Sequence, residues 1–260
     1  MSAIDSIIDR RTFLTGAASA AMFASTASYG KASEQLIAGL IAQTKGYPAI
    51  SQRIDAISHA LLGHRYQADT LIGGPRKTEV FVTRDDRFDC VTFCETVLAA
   101  ARAHDLPSFE AALRAIRYRG GLVEWRARNH DFAAWCERNI ADGFCRPVTM
   151  GETVEIRKTL TAPSALGRRS YAIAGIPRKV LLASKDSFKR GDIVGFISHR
   201  TWLDYFHTGF VTFDGKGELM LRNASLSHRR VVDESMKDFL AINGVRYVTV
   251  LRPQELEKPA

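Results

Sequence analysis

"RFDCVTFCETVLAAARAHDL", residues 87–106, predicts a helix whose first residue is a cysteine. Asp89 precedes it and is a favoured N-cap residue, because its carboxylate can accept a backbone N–H of the first turn. Unpaired N–H groups and the positive end of the helix dipole would then surround the Cys90 sulfur. This setting predicts a lowered thiol pKa and a place to stabilise an oxyanion, so Cys90 is a candidate nucleophile. The alternative is a cysteine that only packs, which is how we interpret Cys94.

A cysteine nucleophile needs a base, and the base needs a polar residue that orients it. His207 opens one predicted strand, and Asn223 lies near the end of the next. A turn at residues 214–217 would pair these strands and set His207 opposite residue 223 or 224. Asn223 could then fix the imidazole tautomer and leave the other ring nitrogen for the sulfur. The order Cys, His, Asn, with the cysteine on a helix and the histidine on a sheet, is papain-like.

Two other histidines compete for the role of base. His199 lies in a predicted loop, and His228 lies beside two arginines. We find no strand pairing that places a suitable polar partner opposite either of them. His207 is therefore the predicted base.

The elements around this helix indicate an α+β fold. Residues 33–64 have helical spacing interrupted at Gly46–Pro48, and residues 108–144 are mostly helical with a break at Gly120–Gly121. Residues 78–83 predict a short strand, and 151–160 are mixed strand and loop. Helices followed by an antiparallel sheet are typical of α+β proteins. The predicted strands of the sheet are 191–198, 207–213, 218–225 and 245–252.

The composition is that of a basic globular protein of 260 residues. The formal net charge of +8 and the pI near 9.5 favour an acidic partner such as nucleic acid, anionic lipid or an anionic cell-wall polymer. The basic residues form no single tract, so charge does not choose between these partners. The four cysteines have no zinc-type spacing and no H-E-x-x-H motif occurs, which argues against a zinc amidase or peptidase. No cofactor is indicated.

The N-terminus resembles a twin-arginine export signal. "DRRTFLTGAASAAMFASTASYG", residues 9–30, has two arginines followed by a weakly apolar run of small residues. That run is too short for a comfortable membrane span. We predict a signal over residues 1–27 and a mature domain over 33–260, located in the periplasm or otherwise outside the cytoplasm; an ordinary N-terminal helix is the alternative. In that oxidising compartment Cys136 and Cys145 are better placed for a disulfide than the first two cysteines.

Seven sequence blocks spread over roughly residues 60–253 carry a resemblance to a known family. They are "RYQADTLIGGP" (65–75), "FDCVTFCETVLA" (88–99), "IRYRGGLVEWRARNHDFAAW" (116–135), "GDIVGFIS" (191–198), "LDYFHTGFV" (203–211), "LRNAS" (221–225) and "VLRP" (250–253). These blocks resemble the N-acetylmuramoyl-L-alanine amidase-like family, which belongs to the NlpC-type, papain-like cell-wall hydrolases, and the cysteine block is the most specific of them.

The resemblance implies a papain-like (NlpC-type) core in which helices pack on a small antiparallel sheet. The helical residues 108–144 would be an insert between nucleophile and base. Cys90 would be the nucleophile, His207 the base and Asn223 the third residue, where relatives often carry histidine. The residues predicted on the substrate side are Tyr66, Asp89, Arg119, Arg128 and His130.

The implied reaction is hydrolysis of the amide between N-acetylmuramic acid, or its anhydro form, and L-alanine in peptidoglycan or muropeptides. Nucleic acid is not an expected partner, nor is stable membrane insertion once the signal is removed. Three alternatives remain open. They are a stem-peptide endopeptidase that cuts the D-glutamyl–diaminopimelate bond, an inactive peptidoglycan-binding protein, and a thiol-redox protein that uses Cys90.

Overall fold

The computed structural model describes residues 35–255, and the predicted export signal lies outside the described residues. The described chain is a mixed α+β fold in which helices cover a curled, mixed sheet. Its helices are residues 35–44 (α1), Ile50–Ala60 (α2), Cys90–Arg102 (α3), Leu106–Arg117 (α4), Phe132–Ala141 (α5), Arg178–Ala183 (α6) and Met236–Ile242 (α7).

The strands of the described chain form one large sheet and a separate hairpin. In the large sheet the order is β4-β1-β11-β10-β9-β8-β12-β7-β6, with β5 paired to β12; the β1–β4 pair is parallel and the other pairs are antiparallel. The hairpin pairs β2 with β3. The strands are β1 (Arg65–Tyr66), β2 (Ile72–Gly74), β3 (Lys77–Val80), β4 (Arg87–Phe88), β5 (Cys145–Pro147), β6 (Val154–Leu160), β7 (Arg169–Pro177), β8 (Ile193–Ile197), β9 (Tyr205–Phe213), β10 (Leu219–Ser225), β11 (Arg230–Ser235) and β12 (Tyr247–Pro253).

The four predicted C-terminal strands are confirmed as β8, β9, β10 and β12. The division of the N-terminal helical segment into α1 and α2 is also confirmed. The sequence interpretation missed β7, β11 and α7, and it resolved β6 only as mixed strand and loop. β11 and α7 are short and mix charged with apolar residues, so neither a long apolar run nor a clear helical period marks them. β7 does contain a mostly apolar run, residues 171–177, which the sequence interpretation did not assign to a strand.

Helix α3 lies at the centre of the main core. The ring of Phe93 packs edge-on against Phe88 and against Phe210 of β9, with centroid distances of 5.7 Å in both cases. The predicted apolar face of the helix is buried, but burial extends without a gap from Thr92 to Ala101. A helix buried on all sides must also bury its polar residues, so Glu95 needs a partner inside the protein.

Arg117, the last residue of α4, supplies that partner. Its Nε lies 2.7 Å from a Glu95 carboxylate oxygen, and its Nη1 donates to the carbonyl of Val82 at 2.7 Å. Both side chains are almost fully buried, at 2% and 3% exposure. The pair fixes the end of α4 against α3, close to the Cys90 end of that helix.

The opposite face of the sheet carries a second apolar cluster, which α6 and α7 cover. Phe196 of β8, Leu221 of β10 and Phe239 of α7 belong to it. The His207 ring lies against this cluster, 6.1 Å from the Phe196 ring and 5.4 Å from the Phe239 ring. These two contacts hold the His207 ring against aromatic side chains of the second cluster.

The two cysteines considered for a disulfide are Cys136 of α5 and Cys145 of β5. Both are buried and both are free thiols in the structure, as are Cys90 and Cys94. Burial raises the pKa of the Cys136 thiol and of the Cys145 thiol. Separately, none of the helices within residues 35–255 has the length and apolar character needed to cross a membrane.

Candidate functional site

The start of α3 is built as the sequence predicts. Asp89 is the N-cap, and its Oδ1 accepts the Thr92 N–H at 2.8 Å, while Thr92 Oγ1 accepts the Asp89 N–H at 3.0 Å. Thr92 therefore completes a reciprocal capping box that normally carries Glu or Gln at this position. Cys90 follows the cap as the first helical residue. It keeps partial exposure, whereas the other three cysteines are buried.

The structure brings His207 and Asn223 into direct contact. His207 Nε2 lies 2.8 Å from Asn223 Oδ1. The predicted register is nevertheless wrong: Phe213 pairs with Leu219 and Phe210 with Arg222, and continuation of that register would set His207 opposite residue 225. The contact is diagonal, within the reach of side chains on one face of a sheet.

The register differs because the connection between β9 and β10 has five residues, 214–218, and not four. Asp214 closes this loop, since its Oδ1 accepts the N–H groups of Lys216 and Glu218, both at 2.8 Å. Its own N–H donates to the Glu218 carbonyl at 3.0 Å. An aspartate that organises the loop in this way adds one residue to the turn that the glycines suggest.

Gly209 permits the close approach of β10 beside this pair. A Cβ at this position would lie 2.7 Å from the Arg222 carbonyl oxygen and 2.9 Å from the Asn223 Cβ. Only glycine fits there without displacement of the strand that carries Asn223. The His-x-Gly spacing is the signal in the sequence that marks this close approach.

Glu234 of β11 completes the polar chain and was missed by the sequence reasoning. Asn223 Nδ2 donates to Glu234 Oε1 at 2.8 Å. Because a carboxylate only accepts, this contact places the amide NH₂ toward Glu234 and the amide oxygen toward His207. The oxygen also only accepts, so His207 Nε2 carries the proton. Nδ1 is then the basic nitrogen, and it has no hydrogen-bond partner within the described residues.

The resting protonation states differ from the prediction for Cys90. Burial, reinforced by the Asp89 carboxylate, raises the pKa of the Cys90 thiol to about 12, although the N–H groups of Thr208, Cys90 and Val91 act to lower it. Burial also lowers the pKa of His207 to about 4, against the opposing hydrogen bond to Asn223. The predicted lowering of the thiol pKa is therefore wrong, because loss of water outweighs the helix N–H groups. Both shifts favour the uncharged forms, a thiol and a neutral imidazole, at neutral pH.

Thr208 and Tyr66 show how close the elements of the site lie. The Thr208 N–H that faces the Cys90 sulfur belongs to the residue after His207. Tyr66 pairs with Phe88 in the parallel β1–β4 ladder, one residue before the N-cap Asp89. Burial and then the charges of Cys90 and Asp89 raise the pKa of Tyr66, which keeps its hydroxyl protonated as a hydrogen-bond donor.

Asp89 serves mainly as a structural cap in this geometry. Its Oδ1 accepts from both the N–H and the hydroxyl of Thr92, and its Oδ2 accepts from the Thr70 hydroxyl at 3.4 Å. The carboxylate is thus occupied by protein donors. Its predicted place on the substrate side stays a prediction.

Arg119, Arg128 and His130 meet in a cavity of about 300 Å³ between the insert and β7. The residues predicted at the reaction centre, from Tyr66 to Asn223, do not line it. His130 packs on Trp125 with a centroid distance of 4.5 Å, and burial lowers its pKa. The full lining is Arg119, Arg126, Arg128, Asn129, His130, Asp131, Ala134, Arg138, Leu166, Arg169 and Tyr171.

His228, which competes with His207 for the role of base, contacts two serine hydroxyls. Its Nδ1 lies 3.0 Å from the Ser225 hydroxyl and 3.3 Å from the Ser227 hydroxyl. Its ring is therefore bonded to hydroxyls rather than to a carboxamide of the kind that His207 contacts. Among the described residues, no group of three or more His, Cys, Asp or Glu side chains is arranged to hold a metal ion.

The sequence profile of the AmiA-like family, described as N-acetylmuramoyl-L-alanine amidase-like, matches residues 56–245. The chain belongs to this amidase-like family. The match runs from α2 to the residues after α7 and includes Cys90, His207, Asn223 and Glu234. No curated protein sequence is detectably similar to the chain.

Two solved structures are similar to this chain in fold. A protein of Legionella pneumophila from the DUF1460 family is 21% identical and has a TM-score of 0.76, over 88% of this chain and 97% of that one. An N-acetylmuramoyl-L-alanine amidase from Bacteroides uniformis is 22% identical and has a TM-score of 0.69, over 79% of this chain and 99% of that one. The amidase-like chain therefore shares its fold with both proteins over nearly their whole lengths.

Proposed function

We propose that this member of the amidase-like family is a cysteine amidase that hydrolyses the amide between N-acetylmuramic acid, or its anhydro form, and L-alanine. Peptidoglycan or its muropeptides would be the substrate. The observations that carry the proposal are the hydrogen-bonded chain His207–Asn223–Glu234 and the N–H of Thr208, the residue after His207, which acts on the Cys90 sulfur at the start of α3. A cysteine nucleophile, a histidine base and an amide that orients the base are the set used by papain-like hydrolases, which supports the proposal. We accordingly interpret the domain, residues 33–260, as an enlarged papain-like (NlpC-type) core.

In the proposed reaction, His207 Nδ1 takes the thiol proton as the Cys90 sulfur attacks the lactyl carbonyl carbon. The carbonyl oxygen becomes an oxyanion, which the N–H groups at the start of α3 and the Tyr66 hydroxyl would stabilise. Nδ1 then gives its proton to the alanine nitrogen, and the C–N bond breaks to leave a thioester. Water attacks the thioester, Nδ1 takes one of its protons, and the thiol is restored as the lactyl carboxylate leaves.

The neutral resting pair determines the form of this mechanism. With a thiol pKa near 12 and an imidazole pKa near 4, a preformed thiolate–imidazolium pair is not the resting state. Proton transfer must then accompany attack, which is general-base catalysis. The fixed tautomer of His207 is what makes such a transfer possible on the side of Nδ1.

We further propose that residues 1–27 direct export and that the enzyme acts in the periplasm or elsewhere outside the cytoplasm. The twin arginine and the small-residue run support this proposal. A net charge of +8 is favourable for contact with an anionic wall polymer. On the substrate side, Arg119, Arg128 and His130 would contact the sugar or the peptide.

A digest of purified muropeptides, with and without the anhydro end, tests the proposed bond. Mass spectrometry should show a free stem peptide that begins with L-alanine, together with the peptide-free sugar. Release of a sugar that retains a dipeptide would instead assign the protein as an endopeptidase. Binding to the wall without any cleavage would favour the inactive binding protein.

The pH profile tests the assigned protonation states. Because His207 acts as a base only when neutral, kcat/KM should stay level as pH falls through 6.5, the ordinary histidine value, and should drop near pH 4. The Asn223 contact raises the pKa of His207, so Asn223→Ala should move the acid limb to lower pH as well as reduce the rate. An acid limb near pH 6.5 in protein that circular dichroism shows to be folded would contradict the assignment.

A further inference from the structure

The cavity lined by the insert carries far more positive than negative charge. Five arginines line it, against a single lining carboxylate, that of Asp131. Arg169 satisfies this carboxylate in a bidentate contact at 2.5 and 3.1 Å. Arg128 is paired with Glu79 at 3.2 Å. Arg119 makes neither a side-chain hydrogen bond nor an ion pair within residues 35–255, whereas Arg138 makes no side-chain hydrogen bond there but interacts electrostatically with the neighbouring Glu137.

Such a concentration of like charge is unfavourable unless an anion enters it. The guanidinium is a planar fork whose N–H groups match the two oxygens of a carboxylate or phosphate. Burial lowers the pKa of His130, so its ring adds no further positive charge to the cavity at neutral pH. The cavity therefore has the chemistry of a receptor for a compact anion with more than one charged group.

Two packed connections link the cavity to the reaction centre. Asp131 in the cavity is followed by Phe132, whose ring packs edge-on against Tyr205 at 5.1 Å, two residues before His207. On the other side, Arg119 follows Arg117 by two residues, and Arg117 is bonded to the Cys90 helix. Elements that line the cavity are therefore packed against those that carry His207 and Cys90.

We propose that this cavity binds the free carboxylates of the stem peptide, with Arg119 and Arg138 as the groups that receive them. The assignment to the peptide rests on the proposed function. It makes the enzyme selective for wall peptides whose acidic side groups are not amidated. Carboxylate recognition by Arg119 and Arg138 would fix the peptide while the sugar side reaches Cys90.

Binding to inactive protein tests this subsite without any catalysis. The ligand is the tripeptide L-alanyl-γ-D-glutamyl-diaminopimelate, titrated calorimetrically into the Cys90→Ala protein, in its free-acid and amidated forms. We expect the free acid to bind at least about tenfold more tightly, as one lost charge-assisted contact implies. Arg138→Gln and Arg119→Gln should each remove this preference. Arg157→Gln, at an arginine 81% exposed on β6, is the matched control and should leave it intact.

The results of this titration distinguish failure of the carboxylate subsite from failure of the proposed hydrolysis. Equal affinity for both peptide forms, or a preference that both arginine variants retain, overturns the subsite. Tighter binding of inorganic pyrophosphate than of the tripeptide would also overturn it and indicate a phosphate site. If the wild-type protein cleaves no muropeptide but the tripeptide preference and its loss in the variants are observed, the subsite stands and only the proposed reaction fails.

A second inference comes from the independent contact between Asn223 and Glu234. Asn223 is fully buried, so its amide cannot exchange one orientation for the other through water. The structure assigns Glu234 as the positioning residue that holds the Asn223 oxygen toward His207 and thereby keeps the His207 proton on Nε2. Its effect on turnover rests on the proposed function, but its effect on the tautomer does not.

Nitrogen-15 spectra of the His207 ring at neutral pH report the tautomer directly. We expect the Nε2–H form in the wild-type protein and a mixture of both tautomers in Glu234→Ala, with kcat lower by about 10- to 100-fold and KM little changed. Glu234→Gln keeps an acceptor and should rescue both. Glu218→Ala changes an exposed glutamate in the β9–β10 loop and is the control, so it should keep the wild-type tautomer and kcat. A wild-type tautomer ratio in Glu234→Ala would overturn the assignment.

Discussion

Replacement of Cys90 by alanine is expected to lower kcat/KM by about 10⁴-fold or more, while the fold and wall binding are kept. The loss is large because the nucleophile and its base act as a unit, so removal of one member leaves the other without function. Cys90 is partly exposed at a helix start, and its side chain supports no buried ion pair. The measurement is steady-state release of stem peptide, with thermal unfolding as the check on folding.

Cys94→Ala is the matched control for this experiment. Cys94 lies one turn further along α3, fully buried, with its Sγ 3.9 Å from the Thr208 hydroxyl. We expect this variant to retain most of its activity and to lose some stability, since a buried sulfur is removed from a packed site. If Cys94→Ala is inactive while Cys90→Ala remains active, the nucleophile has been assigned to the wrong cysteine.

Glu95→Ala should have the largest effect on stability, about 3–5 kcal/mol, because it leaves the guanidinium of Arg117 buried without its counter-ion. Arg117 is 2% exposed, and the hydrogen bond that it keeps, to the Val82 carbonyl at 2.7 Å, supplies no negative charge. Chemical denaturation with constant m-values measures the change. A loss below about 1 kcal/mol would contradict the importance that we give to this pair.

Glu110→Ala provides the comparison, because Glu110 forms an i,i+4 pair with Arg114 on the exposed side of α4. Both side chains are more than a third exposed, so this variant should lose at most about 0.5 kcal/mol. Replacement of both members of the buried pair, Glu95→Leu with Arg117→Leu, should recover part of the loss, since no unpaired charge then remains in the core.

The sequence predicts well those features that depend on neighbouring residues. Asp89 as N-cap, the apolar face of α3, the break between α1 and α2, and four C-terminal strands are confirmed, since capping and periodicity are local properties. The contact between His207 and Asn223 was also predicted, because side chains on one face of a hairpin meet over a range of registers. The family was identified from the same residues and is confirmed.

Features that depend on the assembled fold were not accessible in the same way. The register of β9 and β10 follows from the loop that Asp214 closes. Glu234, which accepts from Asn223, lies on β11, a strand too short and polar to be recognised from the sequence pattern. The thiol pKa depends on how much water remains at Cys90, which helix position alone does not determine. The arginine cavity joins the insert to β7, a strand that the sequence interpretation did not detect.

Rapid acid quench of the reaction, followed by mass spectrometry of the intact protein and its digest, is the sharpest test of cysteine catalysis at this site. We predict a transient adduct with the mass of the lactyl-linked sugar, located on the fragment that contains Cys90 and absent from Cys90→Ala. Turnover of muropeptide without any adduct on Cys90, or an adduct on another residue, would contradict Cys90 as the nucleophile. An adduct that retains L-alanine and D-glutamate would contradict the proposed amide bond.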